Sequence, residues 1–170
     1  MKQMRTLLFF CFSAIIACTP KKDSPTTETK ATIEPDIDLI SDFEVNRHIF
    51  RTDTFELYNQ STDGGELIAF HSNDKDYIVV DVWLYGETGK LHATFWTDKD
   101  LNIKIARRIM YEYDRPYYEG DFKTTETTDH VSFVGNDLSL SESQKKELNE
   151  KRTEIQKLFK DVTEEAKIVK

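Results

Sequence analysis

The run Tyr77-Ile78-Val79-Val80-Asp81-Val82-Trp83-Leu84-Tyr85 constrains the fold more than any other stretch of the chain. Successive side chains of a strand point to opposite faces, so Ile78, Val80, Val82 and Leu84 share one face. Val79, Asp81, Trp83 and Tyr85 then share the other. One face is aliphatic and the other is largely aromatic. Gly86-Glu87-Thr88-Gly89-Lys90 breaks the run, and beyond it Leu91, Ala93 and Phe95 alternate with His92, Thr94 and Trp96.

The same period of two recurs on both sides. Upstream, Phe55, Leu57 and then Leu67, Ala69 flank Ser61-Thr62-Asp63-Gly64-Gly65, a turn whose glycines accept positive φ. Downstream, Asp98-Lys99-Asp100 makes a turn, after which Ile103 to Tyr113 reads as one long strand closed by Pro116. His130 to Val134 predicts a further short strand. Tight turns leave no room for crossover helices, so the strands form an antiparallel meander of about five to six.

From Ser139 the period changes to 3.6. Ser139 with Glu142, and Ser141 with Gln144, both have capping-box spacing. Leu148, Ile155, Leu158, Phe159, Val162 and Ala166 then form one stripe, predicting an amphipathic helix that covers the aliphatic face. Residues 37–50 predict a short helix with Ile40, Phe43 and Ile49 inward. The fold expected is α+β, a sheet domain over residues 37–138 with a C-terminal helix over residues 139–168.

The chain begins differently. Lys2 and Arg5 precede an apolar stretch, Leu7 to Ile16, that is too short for the roughly 20 residues a bilayer span needs. Ile15-Ile16-Ala17-Cys18 ends it and resembles the lipobox of bacterial lipoproteins. That resemblance implies cleavage after residue 17, lipidation of the Cys18 thiol and a bacterial envelope location, with the outer membrane preferred over the inner. Cys11 follows Phe9-Phe10 and lacks the small residue that the pattern requires. A diacylglyceryl thioether exceeds the single chain that binds membranes only marginally, at about 0.8 kcal/mol per buried methylene.

Residues 18–36 are polar and proline-containing, too poor in apolar groups to fold, and read as a tether. Removing residues 1–17 takes two cations and no acid, so the net charge moves from −8 to −10. Such a surface repels phosphate backbones and anionic headgroups, which excludes nucleic acid as partner and assigns membrane attachment to the lipid. Of the two cysteines only Cys18 would remain. No intrachain disulfide, thiolate metal site or cysteine nucleophile is then available.

The stretch from Thr54 to Pro116, with GELIAFHS, DVWLYGETGKLHATFW and MYEYDRP, resembles hairpin-rich uncharacterised lipoproteins of Bacteroidota and, loosely, MORN-like repeats. The Gly-Lys-Leu turn of that pattern occurs once, at Gly89-Lys90-Leu91. The resemblance carries no activity with it.

Chemical motifs are sparse. His48, His71, His92 and His130 have no partner histidine at ligand spacing. Asn73, Asp74 and Asp76, and again Asp98 and Asp100, lack the ligand number, bend glycine and terminal acid of a calcium loop. No nucleophile elbow, phosphate-cradling loop or dinucleotide fingerprint occurs. Neither metal nor cofactor is expected. The aromatic residues are the better lead: Trp83, Tyr85, His92, Trp96, Tyr111 and Tyr113 are the candidate binding face, with Tyr117 and Tyr118 beside it, for a glycan, peptide or protein. The expectation is a non-enzymatic binding or accessory lipoprotein. Two alternatives stand beside it: a hydrolase using His92 with Asp81 or Glu87, and an enzyme inhibitor presenting the acidic loop from Asp114 to Asp121.

Overall fold

The alternation becomes a six-stranded antiparallel sheet in chain order: β1 (Arg51–Leu57), β2 (Gly65–His71), β3 (Tyr77–Gly86), β4 (Gly89–Asp98), β5 (Ile103–Tyr113) and β6 (Thr124–Ser132). Helix α1 (Ile37–Asn46) precedes it, continued by a 3-10 turn at Arg47–Ile49, and α2 (Glu142–Glu165) follows. The computed structural model describes residues 37–135 and 137–168; the signal, Cys18 and the tether lie outside the described residues.

Pairing fixes the faces. Val80 lies opposite Ala69 and Phe95, and Phe95 opposite Ala106, which lies opposite Val131. This aliphatic row packs under α2, whose Ile155, Phe159 and Val162 are buried with Leu57, Leu67 and Val82 in one cluster. The Phe95 and Phe159 rings sit 4.9 Å apart. Burying a side chain of this size contributes roughly 1.5–3 kcal/mol, so these three helix positions hold α2 on the sheet.

Of the two capping boxes that the spacing allows, the second forms. The Ser141 hydroxyl accepts from the Gln144 N–H, and the Gln144 side chain accepts from the Ser141 N–H at 2.9 Å. The far end is tied by Glu165, which accepts from the backbone N–H groups of Tyr58 and Asn59 at 2.6 and 3.1 Å. Arg108 reaches across the same face to Asp129 at 2.8 Å and Glu154 at 3.2 Å.

The second layer lies on the other face. Phe43 and Phe50 pack edge-on, and Phe43 meets Phe70 in the same way, with centroids 5.3 and 5.1 Å apart. Tyr77, Val79, Trp96 and Ile105 complete that cluster, with Leu39 and Ile40 against it. Phe50, not Ile49, is the residue turned inward: Ile49 is 41% exposed and Phe50 8%. Three residues per turn in the 3-10 segment shift the phase by which a 3.6-residue period points Ile49 at the sheet.

The last strand also differs from expectation. It starts at Thr124, well before His130, and ends at Ser132. Thr124 to Thr128 are exposed on both sides, so no apolar alternation marks them. Threonine is β-branched and suits a strand, and pairing from Tyr113 with Thr124 to Ile105 with Ser132 holds the run in place.

Two glycines permit close strand approach. A Cβ on Gly65 would lie 2.4 Å from the Trp83 carbonyl oxygen, and one on Gly89 2.3 Å from that of Tyr111. Both positions flank the end of the sheet where the candidate residues gather.

Candidate functional site

α1 covers only half of the aromatic face. Toward the Glu87-Thr88 hairpin the face is uncovered, and the sheet register sets its side chains in rows. Trp83 lies opposite His92 and His92 opposite Ile109; Tyr85 lies opposite Lys90 and Lys90 opposite Tyr111. The period of two therefore delivers rings from three strands to one patch.

The rings form a ladder. Trp83 stacks on His92 with centroids 4.0 Å apart and planes 5° from parallel. Tyr85 and Tyr111 lie 6.4 and 6.3 Å from Trp83, inclined by 7° and 15°. The Lys90 ammonium sits over both neighbours, 5.0 Å from the Trp83 centroid and 4.9 Å from that of Tyr111. A cation over a ring face is attracted by the ring quadrupole. Beside this ladder Tyr113 packs on Phe122 at 4.4 Å.

Of the residues nominated from sequence, Trp83, Tyr85, His92, Tyr111 and Tyr113 come together on this open half. Trp96 is on the same face but has no accessible surface, because it lies in the cluster under α1. Its role is core packing. Three further residues take part: Lys90 and Asp63, which the sequence reading of the site lacks, and Tyr117, which it sets beside the face.

Those three meet in space because two loops fold back on the hairpin tip. The Tyr113 and Tyr117 N–H groups donate to the carbonyls of Thr88 and Glu87 at 2.9 and 3.0 Å. The Asp63 N–H donates to the Tyr85 carbonyl at 3.1 Å. Between them lies a cavity of about 230 Å³ walled by Tyr85, Tyr113 and Tyr117, with Asp63 and Lys90 at its rim. Two wider depressions, of about 460 and 810 Å³, meet it at Tyr85.

The electrostatics of this end are negative. Burial and the Glu66 carboxylate push the Tyr85 phenol above its ordinary value. The Glu87 carboxylate does the same to Tyr118, whose hydroxyl it accepts at 3.4 Å. The acidic loop from Asp114 to Asp121 is tied to the hairpin through Tyr117.

His92 and Asp81, the hydrolase candidates, are in contact. His92 Nε2 lies 2.7 Å from Asp81 Oδ1, and the Thr94 hydroxyl donates to the same oxygen at 2.8 Å. Burial pushes the Asp81 carboxyl up, but the hydrogen bonds from His92 and Thr94 outweigh it and hold the group below its usual range. The carboxylate therefore anchors two neighbours on adjacent positions of β4. Neither Asp81 nor His92 lines the three cavities that meet at Tyr85.

The other candidates are dispersed. His71 binds Asp53 at 2.6 Å, while His48 and His130 are exposed. Asp98 caps its own turn, accepting from the Asp100 and Asn102 N–H groups at 2.9 Å each. Among the described residues no group of three or more His, Cys, Asp or Glu side chains is placed to hold a metal. No helix among them is long and apolar enough to cross a membrane. No family model, curated protein or solved structure matches this chain.

Proposed function

We propose that this chain is a lipid-anchored binding module of the bacterial envelope, held to the membrane through Cys18, that presents the open half of its aromatic face to a ligand. One observation carries the reading: α1 covers half of a continuous aromatic face and leaves the other half, with the cavity lined by Tyr85, Tyr113 and Tyr117, to solvent. Concave sites lined by aromatic rings with a few convergent polar groups are the usual form of a ligand site. In this reading α2 is an amphipathic cover for the opposite face and takes no part in binding. The burial of Ile155, Phe159 and Val162 against the sheet supports that division of labour.

The anchor is tested by fractionating cells that express the Cys18→Ala chain. The protein leaves the membrane fraction if acyl chains hold it, and retention there contradicts the assignment. Binding is tested by titrating the full chain with neutral oligosaccharides and with acidic and basic peptides while following tryptophan emission. A saturable response that Tyr85→Ala weakens is expected; no response to any of them defeats the reading.

A further inference from the structure

Carboxylates cluster at the end of the sheet around Tyr85. Five carboxylates line the cavities that meet there: Glu56, Asp63, Glu66 and Glu87, with Glu112 on the opposite face of β5 from Tyr111. The same cavities contain a single cationic side chain, Lys90. Several carboxylates elsewhere are matched to cations, as Asp42 is to Lys75 at 2.6 Å, Asp129 to Arg108 at 2.8 Å and Asp137 to Arg152 at 2.6 Å. None of the five at the Tyr85 end forms an ion pair among the described residues. Lys90 itself is seated on the Trp83 and Tyr111 rings, with no carboxylate in ion-pair range.

We infer that the Tyr85 end recognises a basic segment of a partner protein, taking one lysine or arginine head group into the cavity walled by Tyr85, Tyr113 and Tyr117. This rests on the binding reading above and names the chemistry of the ligand. Three features converge on it. Tyrosine and tryptophan faces attract ammonium and guanidinium groups, and Lys90 already demonstrates such seating on the neighbouring rings. A volume of about 230 Å³ lies below the roughly 300 Å³ at which pockets for whole drug-sized ligands begin, so it suits a head group. The flanking carboxylates, spread over two wider depressions, match further positive charges along an extended segment. An anionic ligand would meet five like charges, and a second copy of this acidic chain would meet its own repulsion.

The test uses the full chain, with N-acetyl-hexalysine amide as the basic probe. Saturable binding is expected, weakened by salt as screened surface charges require. Tyr85→Ala should weaken it roughly two- to thirtyfold, the range spanned by loss of one cation–π contact. The paired variant Asp63→Asn/Glu66→Gln keeps the side-chain shapes and should weaken it comparably, while Glu150→Gln on the exposed side of α2 should leave it unchanged. Thermal unfolding checks that each variant is folded. If hexalysine binds all four chains equally, it is responding to net charge and the inference is wrong. If hexalysine fails while a neutral oligosaccharide binds and depends on Tyr85, the cation inference falls and the binding module stands. If neither probe binds, both fall.

Discussion

Trp83 and Trp96 sit on the same face of the same sheet, yet one is half-buried and the other has no accessible surface. Their strands pair with each other and their alternation is identical. What separates them is α1, a ten-residue helix whose Phe43 packs on Phe70 in the cluster that holds Trp96 and not Trp83. An aromatic residue on a strand thus becomes core or surface according to what a distant segment covers. The covered half has apolar rings stacked edge to face; the open half has rings interleaved with Lys90 and surrounded by unpaired carboxylates.

The comparison predicts unequal costs for like substitutions. Trp96→Ala should be the most damaging, at about 3–5 kcal/mol, since it opens a cavity in a sealed cluster. Phe43→Ala should cost about 3 kcal/mol, since it removes a buried ring from the same cluster. Trp83→Ala should cost only about 1 kcal/mol, the scale of one stacked pair at a partly exposed site. Denaturant unfolding of the three chains ranks them; equal losses for Trp83 and Trp96 would erase the distinction between the halves.

The smallest effect lies at the turn beyond the covered half. Hydrogen bonds from the Asn102 side chain and backbone, with that from the Asp100 N–H, hold the Asp98 carboxyl down at about 2, against 3.8 ordinarily. A carboxyl lowered by folding stabilises the fold while ionised. Its contribution is present above pH ~4 and is lost as pH falls through about 2. Asp98→Asn should flatten the acid limb of the stability curve in that window and leave its shape above pH 5 unchanged. A limb as steep as the parent's would assign the acid sensitivity to other carboxylates.

These contrasts also mark where the sequence was readable. β3, β4 and β5 were legible because apolar residues recur every second position and turns interrupt them. The aliphatic row and its covering helix followed from the change of period at Ser139. The first half of β6 was hidden by its threonines, which bury nothing and so leave no periodic trace. The inward turn of Phe50 in place of Ile49 depends on a local tightening of the helix that a 3.6-residue period does not contain. The site itself was half legible. Alternation grouped Trp83, Tyr85, His92, Tyr111 and Tyr113, but it equally grouped Trp96, because a period assigns a face and says nothing about cover. Asp63 was invisible and Tyr117 was placed only beside the face, since loops bring both to Tyr85 from positions far apart in the chain.

The most direct test uses the fact that the chain has two tryptophans. Labelled with 5-fluorotryptophan, the full protein should give two fluorine resonances, assigned by the Trp83→Phe chain. We predict that the Trp83 resonance alone shifts between light and heavy water and alone moves, saturably, on addition of hexalysine. Equal solvent shifts for both resonances, or a hexalysine response centred on Trp96, would contradict the division of the face into a core half and a binding half.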